Sequence, residues 1–250
     1  MSCHGTEEFY NSIAEKYHWF FSSWEGIMEH QMKNLIPVLQ KFNVRSVLDC
    51  ACGTGLQSIG LTKAGFNVIG TDLSSNMLIR AKENASIANT HIEFKQSDFR
   101  EVRSKVDGDF DSVICMGNSI PHLMTESDIS VALNNIYSCV KNNGIAIFEM
   151  RDYDKMLSDK PRFLPMRINE KKDGNLVSVL YVFDYLVDVI RFNIVYLIED
   201  LLTGDKHMEV ESVDYNPIRR EFFLNLLSKA GFKKIEVLED GFGLEYIAIK

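Results

Sequence analysis

No apolar run in this chain of 250 residues approaches the length that crosses a bilayer, so a membrane-spanning role is not expected. Basic charge is also scarce: 27 Lys and Arg stand against 35 Asp and Glu, a formal net charge of −8. Nucleic acid and anionic membrane surfaces select basic faces, so neither is expected as a partner. The five cysteines, Cys3, Cys50, Cys52, Cys115 and Cys139, make no Cys-x-x-Cys pair. An odd number spread through apolar segments predicts reduced, buried thiols and a cytoplasmic location. No His, Asp or Glu cluster has ligand spacing, so no metal is expected. Met1–Glu8 is polar and acidic and predicts no signal peptide. Internal repeats and low-complexity tracts are absent.

What is present is organised around Val47-Leu48-Asp49-Cys50-Ala51-Cys52-Gly53-Thr54-Gly55, an apolar run, an acid and two glycines one residue apart. A second acid, Asp72, ends the next apolar run, Val68–Thr71. The pattern predicts strand, glycine turn, helix and strand. An anionic or zwitterionic ligand then lies over the turn, facing backbone N–H groups and the helix N-terminus. The acid after the second strand accepts from a ribose diol. The third glycine of a dinucleotide site is missing, since Leu56, Gln57 and Ser58 follow Gly55.

In chain order, apolar and aromatic spacing predicts helix over residues 7–42, with Pro37 marking a start or a kink. Tyr10, Tyr17, Trp19, Phe20, Phe21 and Trp24 form a dense aromatic cluster there. Most read as packing, with Tyr10 and Trp19 as candidates to close over a ligand. Strands are predicted at 45–49, 67–71, 91–94, 110–116 and 145–150, with helices at 55–65, from Ser74 or Ser75, and at 127–140. Alternating βα units imply a parallel sheet with right-handed crossovers and ligands beyond the strands' carboxyl ends. That gathers Asp49–Gly55, Asp72, Asp98, Met116–Ser119 and Arg151–Tyr153 around one crevice. Residues 161–215 lose the alternation. Leu176–Val189, Ile190–Asp200 and His207–Tyr215 read as antiparallel strands with turns at Asp173-Gly174-Asn175 and Thr203-Gly204-Asp205. A helix at 219–230 and strands at 234–238 and 244–249 follow, joined by a turn at Asp240-Gly241-Phe242-Gly243.

The acid-x-x-Cys-Gly-x-Gly segment, Asp72 and Ser74-Ser75-Asn76-Met77-Leu78 resemble the class I S-adenosylmethionine (SAM) dependent methyltransferases. Ile114–Leu123, containing Gly117-Asn118-Ser119-Ile120-Pro121-His122, and Arg151-Asp152-Tyr153-Asp154 resemble the glycine/sarcosine N-methyltransferase branch. The resemblance implies an α/β fold: a Rossmann-like seven-stranded sheet with helices on both faces, plus an antiparallel β lid inserted after the fifth strand. The expected division is a helical lid segment at 1–44, a SAM-binding core at 45–152, a substrate lid at 153–216 and a helix and hairpin completing the sheet at 217–250.

It also implies roles. Asp72 binds ribose hydroxyls, Met77 packs on adenine and Asp98 accepts from the adenine amino group beside Phe99. Met116 and His122 border the methyl group and the cofactor's amino-acid part. Arg151 and Asn118 clamp the substrate carboxylate, for which a guanidinium fork is suited. Tyr196 approaches the substrate from the lid, with Tyr215 a second candidate. Asn118, Arg151, Tyr196 and His122 are thus the expected substrate-positioning set. The cofactor set is completed by Tyr10, Trp19, Asp49, Ala51, Cys52, Gly53, Gly55, Leu73, Ser97, Gly117 and Ser119. Read without the family, the alternatives are a solvated charge at a strand end for Arg151 and a capping or core histidine for His122.

The chain departs from the branch in three places. The N-terminal segment lacks the basic residue that pairs with the cofactor carboxylate, offering only His30, Gln31 and Lys33. Asp152 stands where Asn is usual, and a lid tyrosine expected near Phe163–Arg167 is absent. The expected activity is methyl transfer from SAM, leaving S-adenosylhomocysteine, to the nitrogen of a small amino-acid-like amine. The alternatives are an O- or C-methyltransferase on another small metabolite, or a SAM-binding regulatory protein without turnover. Either a monomer or a homo-oligomer is compatible with the sequence.

Overall fold

The computed structural model describes residues 5–239 and 243–250. The expected turn at Asp240–Phe242 and the first four residues, with Cys3, lie outside them.

A seven-stranded sheet forms the centre. Its strands are β1 (Ser46–Asp49), β2 (Asn67–Asp72), β3 (Glu93–Gln96), β4 (Phe110–Cys115), β5 (Val140–Met150), β10 (Lys234–Glu239) and β11 (Leu244–Ile249). The order is β10-β11-β5-β4-β1-β2-β3. β1 through β5 run parallel, while β11 pairs antiparallel with β5 and with β10. The order reverses between β1 and β4, the position where such sheets open a ligand crevice.

Helices cover both faces. On one, α2 (Trp24–Lys41), α3 (Leu56–Lys63) and α4 (Ser75–Ile87) bury Leu35, Leu39, Ile59, Leu61, Leu78 and Ala81 against Val47, Ile114 and Ile147. On the other, α5 (Glu126–Cys139) and α7 (Arg220–Lys229) bury Ile129, Leu133, Ile136, Phe223 and Leu227 against Leu48, Val113 and Phe148. β1 therefore alternates its side chains between two apolar cores, as a strand covered on both sides must.

Between β5 and α7 lies a separate antiparallel sheet, ordered β6 (Phe163–Lys172), β7 (Asn175–Tyr185), β8 (Ile190–Asp200) and β9 (Lys206–Tyr215). The expected strands are there, and β6 is added at an edge. Its mixed sequence with Pro165 and two lysines hides the alternation, and such residues are common on edge strands. A short helix, α6 (Tyr153–Asp159), was also not foreseen. The N-terminal segment is not one helical run. It is α1 (Thr6–Ile13), a 3₁₀ turn at Tyr17–Phe20 and α2, which passes through Pro37, so that proline is not a helix start. A third apolar core joins this segment to the inner face of the second sheet: Phe9, Ile13 and Phe20 meet Val179, Phe192 and Tyr196.

Candidate functional site

One cavity of about 1030 Å³ lies beyond the carboxyl ends of the parallel strands, under α1 and the inner face of β7–β9. Its first half is built on the glycine turn. Gly53 has φ +52° and Gly55 φ +86°, left-handed values that side chains disfavour. A Cβ at Gly55 would also press on Ile59 at 3.2 Å and Ala81 at 3.3 Å. At Gly53 nothing lies within 4 Å of that position, so the backbone is open to the cavity. Asp72, at the end of β2, accepts from the Gly53 amide at 2.8 Å and the Ser74 amide at 2.9 Å. Burial pushes its pKa up to about 6, against the pull of those N–H donors.

Ser74 caps α4, accepting from the Met77 amide at 3.1 Å, and donates to Asn11 Oδ1 at 2.6 Å. The cap thus ties α1 to the cavity wall. Beyond β3, the Asp98 carboxylate accepts from Arg100 Nε at 3.0 Å and Nη2 at 2.6 Å, and Arg100 Nη1 donates to Asp128 at 3.0 Å.

The second half follows β4 and β5. The Gly117 amide donates to Glu149 Oε2 at 2.8 Å, and the Asn118 amide to the Glu149 carbonyl at 3.0 Å. Asn118 Oδ1 accepts from the Arg151 amide at 3.0 Å, and Nδ2 donates to the Tyr153 hydroxyl at 2.9 Å. One buried amide therefore locks the two strand ends together. His122 Nε2 lies 2.8 Å from the Tyr10 hydroxyl, and its ring packs 4.4 Å from that of Tyr215. Burial pushes its pKa down to about 3, so the imidazole is neutral at physiological pH. Burial likewise raises the pKa values of Tyr10, Tyr17, Tyr181 and Tyr215, keeping these phenols protonated. The Arg151 guanidinium sits 5.4 Å from the ring centroids of both Tyr181 and Phe192, within cation–π range.

Of the residues expected at the cofactor, Tyr10, Ala51, Cys52, Gly53, Asp72, Leu73, Met77, Ser97, Asp98, Phe99, Met116, Gly117 and Ser119 line this cavity. So do Asn118, His122 and Arg151 from the substrate set, and Tyr215. Four expected residues do not. Trp19 turns its indole N–H to Asp173 at 2.8 Å and packs on Tyr196. Tyr196 is fully buried beside Trp19 and Phe20. Asp49 is sealed beneath the turn, accepting from Ser58 Oγ at 2.7 Å, and burial raises its pKa to about 7. Gly55 shapes the turn from behind. For Trp19, Tyr196 and Asp49 a side-chain contact elsewhere takes the place of the wall.

Three further placements bear on the departures noted in the sequence. His30 and Gln31 reach the cavity and Lys33 does not; Gln31 Oε1 accepts from Gln57 at 2.8 Å. The Asp152 carboxylate caps α6 through the Lys155 amide at 3.0 Å and does not line this cavity. Lining residues not foreseen include Tyr17, Glu149, Arg167, Tyr181 and Phe192. Tyr181 and Phe192 sit on adjacent strands, opposite Ile194 and Phe183. Period-two alternation marks them as inward-facing, but only the fold says what they face. No metal-ligating cluster occurs among the described residues, and no described helix is long and apolar enough to cross a membrane.

Residues 47–144 match the family described as "Methyltransferase domain". The glycine/sarcosine N-methyltransferase of Aphanothece halophytica is 32% identical over 96% of this chain and 85% of its own length. That of Halorhodospira halochloris is 33% identical over 95% and 83%. The enzyme of that name from Parasynechococcus marenigrum is 42% identical over 54% of this chain, about half (48%) of its own length. Among solved structures, DesVI of Streptomyces venezuelae aligns with a TM-score of 0.72, 19% identity and coverage of 98% and 93% of the two chains. It shares the fold. The geometry fits an adenosyl group with an amino-acid tail: an acid beside a glycine backbone open to the cavity, and a buried methionine and an aromatic beyond it. The chain is a SAM-dependent methyltransferase and belongs to the glycine/sarcosine N-methyltransferase family.

Proposed function

We propose that this enzyme methylates the amino nitrogen of a small α-amino acid of the glycine or sarcosine type. The observation that carries this is Arg151. Its guanidinium stands on the cavity wall between the rings of Tyr181 and Phe192, with the adjoining backbone held by Asn118. A planar fork in an aromatic frame suits a carboxylate bidentately. Glu149 lies on the same wall, its carboxyl accepting from the Gly117 amide at 2.8 Å. The names of the family's members support the same acceptor class.

In this reading Asp72 accepts from the ribose hydroxyls, Met77 and Phe99 pack the adenine, and Asp98 is exchanged from Arg100 to the adenine amino group. The Gly53 turn carries the amino-acid tail. Asn118 positions Arg151 rather than touching the carboxylate itself, because its amide is spent on the Arg151 backbone and Tyr153. SAM supplies an activated methyl group when bound, so no strong nucleophile is required. The protein's part is to present a neutral amine in line with the transferring methyl, an alignment worth ~7–11 kcal/mol. Neutral His122 and protonated Tyr10 and Tyr215 border that point without adding charge. The four-stranded sheet serves as the lid that closes the acceptor end.

The test is transfer of labelled methyl from SAM to glycine, sarcosine, dimethylglycine and amines without a carboxylate. Turnover confined to the amino acids is the expected result. Turnover only on acceptors lacking a carboxylate would overturn the Arg151 assignment and leave the methyltransferase.

A further inference from the structure

We infer that Arg167 is a second carboxylate-binding residue of the large cavity, engaging the α-carboxylate of an amino-acid ligand. Arg167 lies on β6 and lines that cavity. The β6–β7 register shifts on both sides of it, between Pro165 and Arg167 and again between Arg167 and Glu170. Irregularities of this kind re-aim a side chain and gather next to binding sites. Arg167 Nη1 donates to the Met166 carbonyl at 2.6 Å, but Nε is buried with no hydrogen-bond partner. Among the described residues no carboxylate pairs with this guanidinium. Arginine is always charged, and a buried donor without an acceptor is unfavourable. A carboxylate in the cavity that this guanidinium lines would supply the ion pair it lacks.

The count of charges in the cavity points the same way. Among the described residues no lysine lines it, and its guanidiniums are Arg100, Arg151 and Arg167. Arg100 is paired with Asp98 and Asp128, and keeps Asp128 when Asp98 turns to the adenine. The α2 wall contributes His30, Gln31 and Asn34 and no arginine. Two α-carboxylates enter during methylation of an amino acid, the cofactor's and the acceptor's. Arg151 accounts for one, and Arg167 is the cation left for the other. The acceptor half of this inference rests on the proposed function; the cofactor half does not.

Calorimetric titration of the R167M and R167K variants decides it. The probes are SAM, 5′-methylthioadenosine, which lacks the amino-acid tail, and acetate added to the S-adenosylhomocysteine-loaded protein. The expected result is a loss of tenfold or more in R167M for one carboxylate, partly restored in R167K. A loss for SAM with methylthioadenosine within twofold assigns Arg167 to the cofactor. A loss for acetate with SAM within twofold assigns it to the acceptor. SAM and acetate both within twofold of wild type would overturn the inference, as would equal losses for SAM and methylthioadenosine. Should R167M not fold, R167K and R167Q carry the same comparison. Failure of the wild-type enzyme to methylate any amino acid would remove the proposed function, while these affinities would still report on Arg167.

Discussion

The Tyr10 hydroxyl lies 2.8 Å from His122 Nε2, bridging 112 positions of sequence and fastening the N-terminal helix to the loop after β4. Tyr10→Phe keeps the ring contacts and removes the bond. A neutral buried hydrogen bond contributes about 0.5–1.5 kcal/mol, and leaving a buried partner unmade costs up to about 3. We expect kcat/KM to fall about tenfold with Tm lowered by only a few degrees, as measured by initial rates and thermal melts.

His122 makes the protein acid-sensitive. Its folded pKa of about 3 lies below the ordinary 6.5, so the unfolded chain takes up the proton first. Its contribution to stability is complete above pH 6.5 and is lost as pH falls towards 3, at about 1.4 kcal/mol per pH unit. Denaturant melts of His122→Gln and wild type should therefore converge as pH drops from 7 to 4. A constant difference would show that His122 does not stay neutral.

Asp72 sets a second pH dependence. The carboxylate form is the acceptor a ribose needs, and burial places its pKa near 6. SAM affinity should be flat above pH 7 and fall as pH drops through about 6, approaching tenfold per unit. Asp72→Asn, which loses charge-assisted bonds of about 1.5–3 kcal/mol, should bind SAM tenfold to a hundredfold more weakly and lose that inflection. Titration calorimetry between pH 5 and 8 reads both.

Arg151→Met should raise the KM for glycine or sarcosine a hundredfold or more, with SAM affinity changed less than threefold. Arg151→Lys should recover little, because a point charge does not reproduce the fork or its stacking on Tyr181 and Phe192. Equal losses in acceptor and cofactor binding would argue that Arg151 only supports the fold.

Ser74→Ala removes the α4 cap and the bond to Asn11. A lost N-cap costs about 0.5–2 kcal/mol. Thermal melts should show that loss, and hydrogen exchange should show faster opening of α1 alongside α4, since one hydroxyl serves both.

The chain's own residues were sufficient for the central fold. Asp49–Gly55 needs a strand before it and a helix after it, and the apolar runs to Met150 repeat that unit often enough to demand a parallel sheet. The cavity residues at the ends of those strands were legible for the same reason, because topology alone brings the carboxyl ends together. Side-chain destinations were not legible. Trp19 and Tyr196 read as site aromatics but pack on each other, and Asp152 reads as a charge near the ligand but caps α6. Arg167 offered no motif, and its place on the wall depends on two register shifts in an edge strand.

Local sequence determines backbone period, turns and caps, which depend on neighbours a few residues away. Which face of β6–β9 meets the cavity, and which buried polar atoms are left wanting a partner, depends on contacts more than a hundred residues apart. Only the tertiary structure decides those.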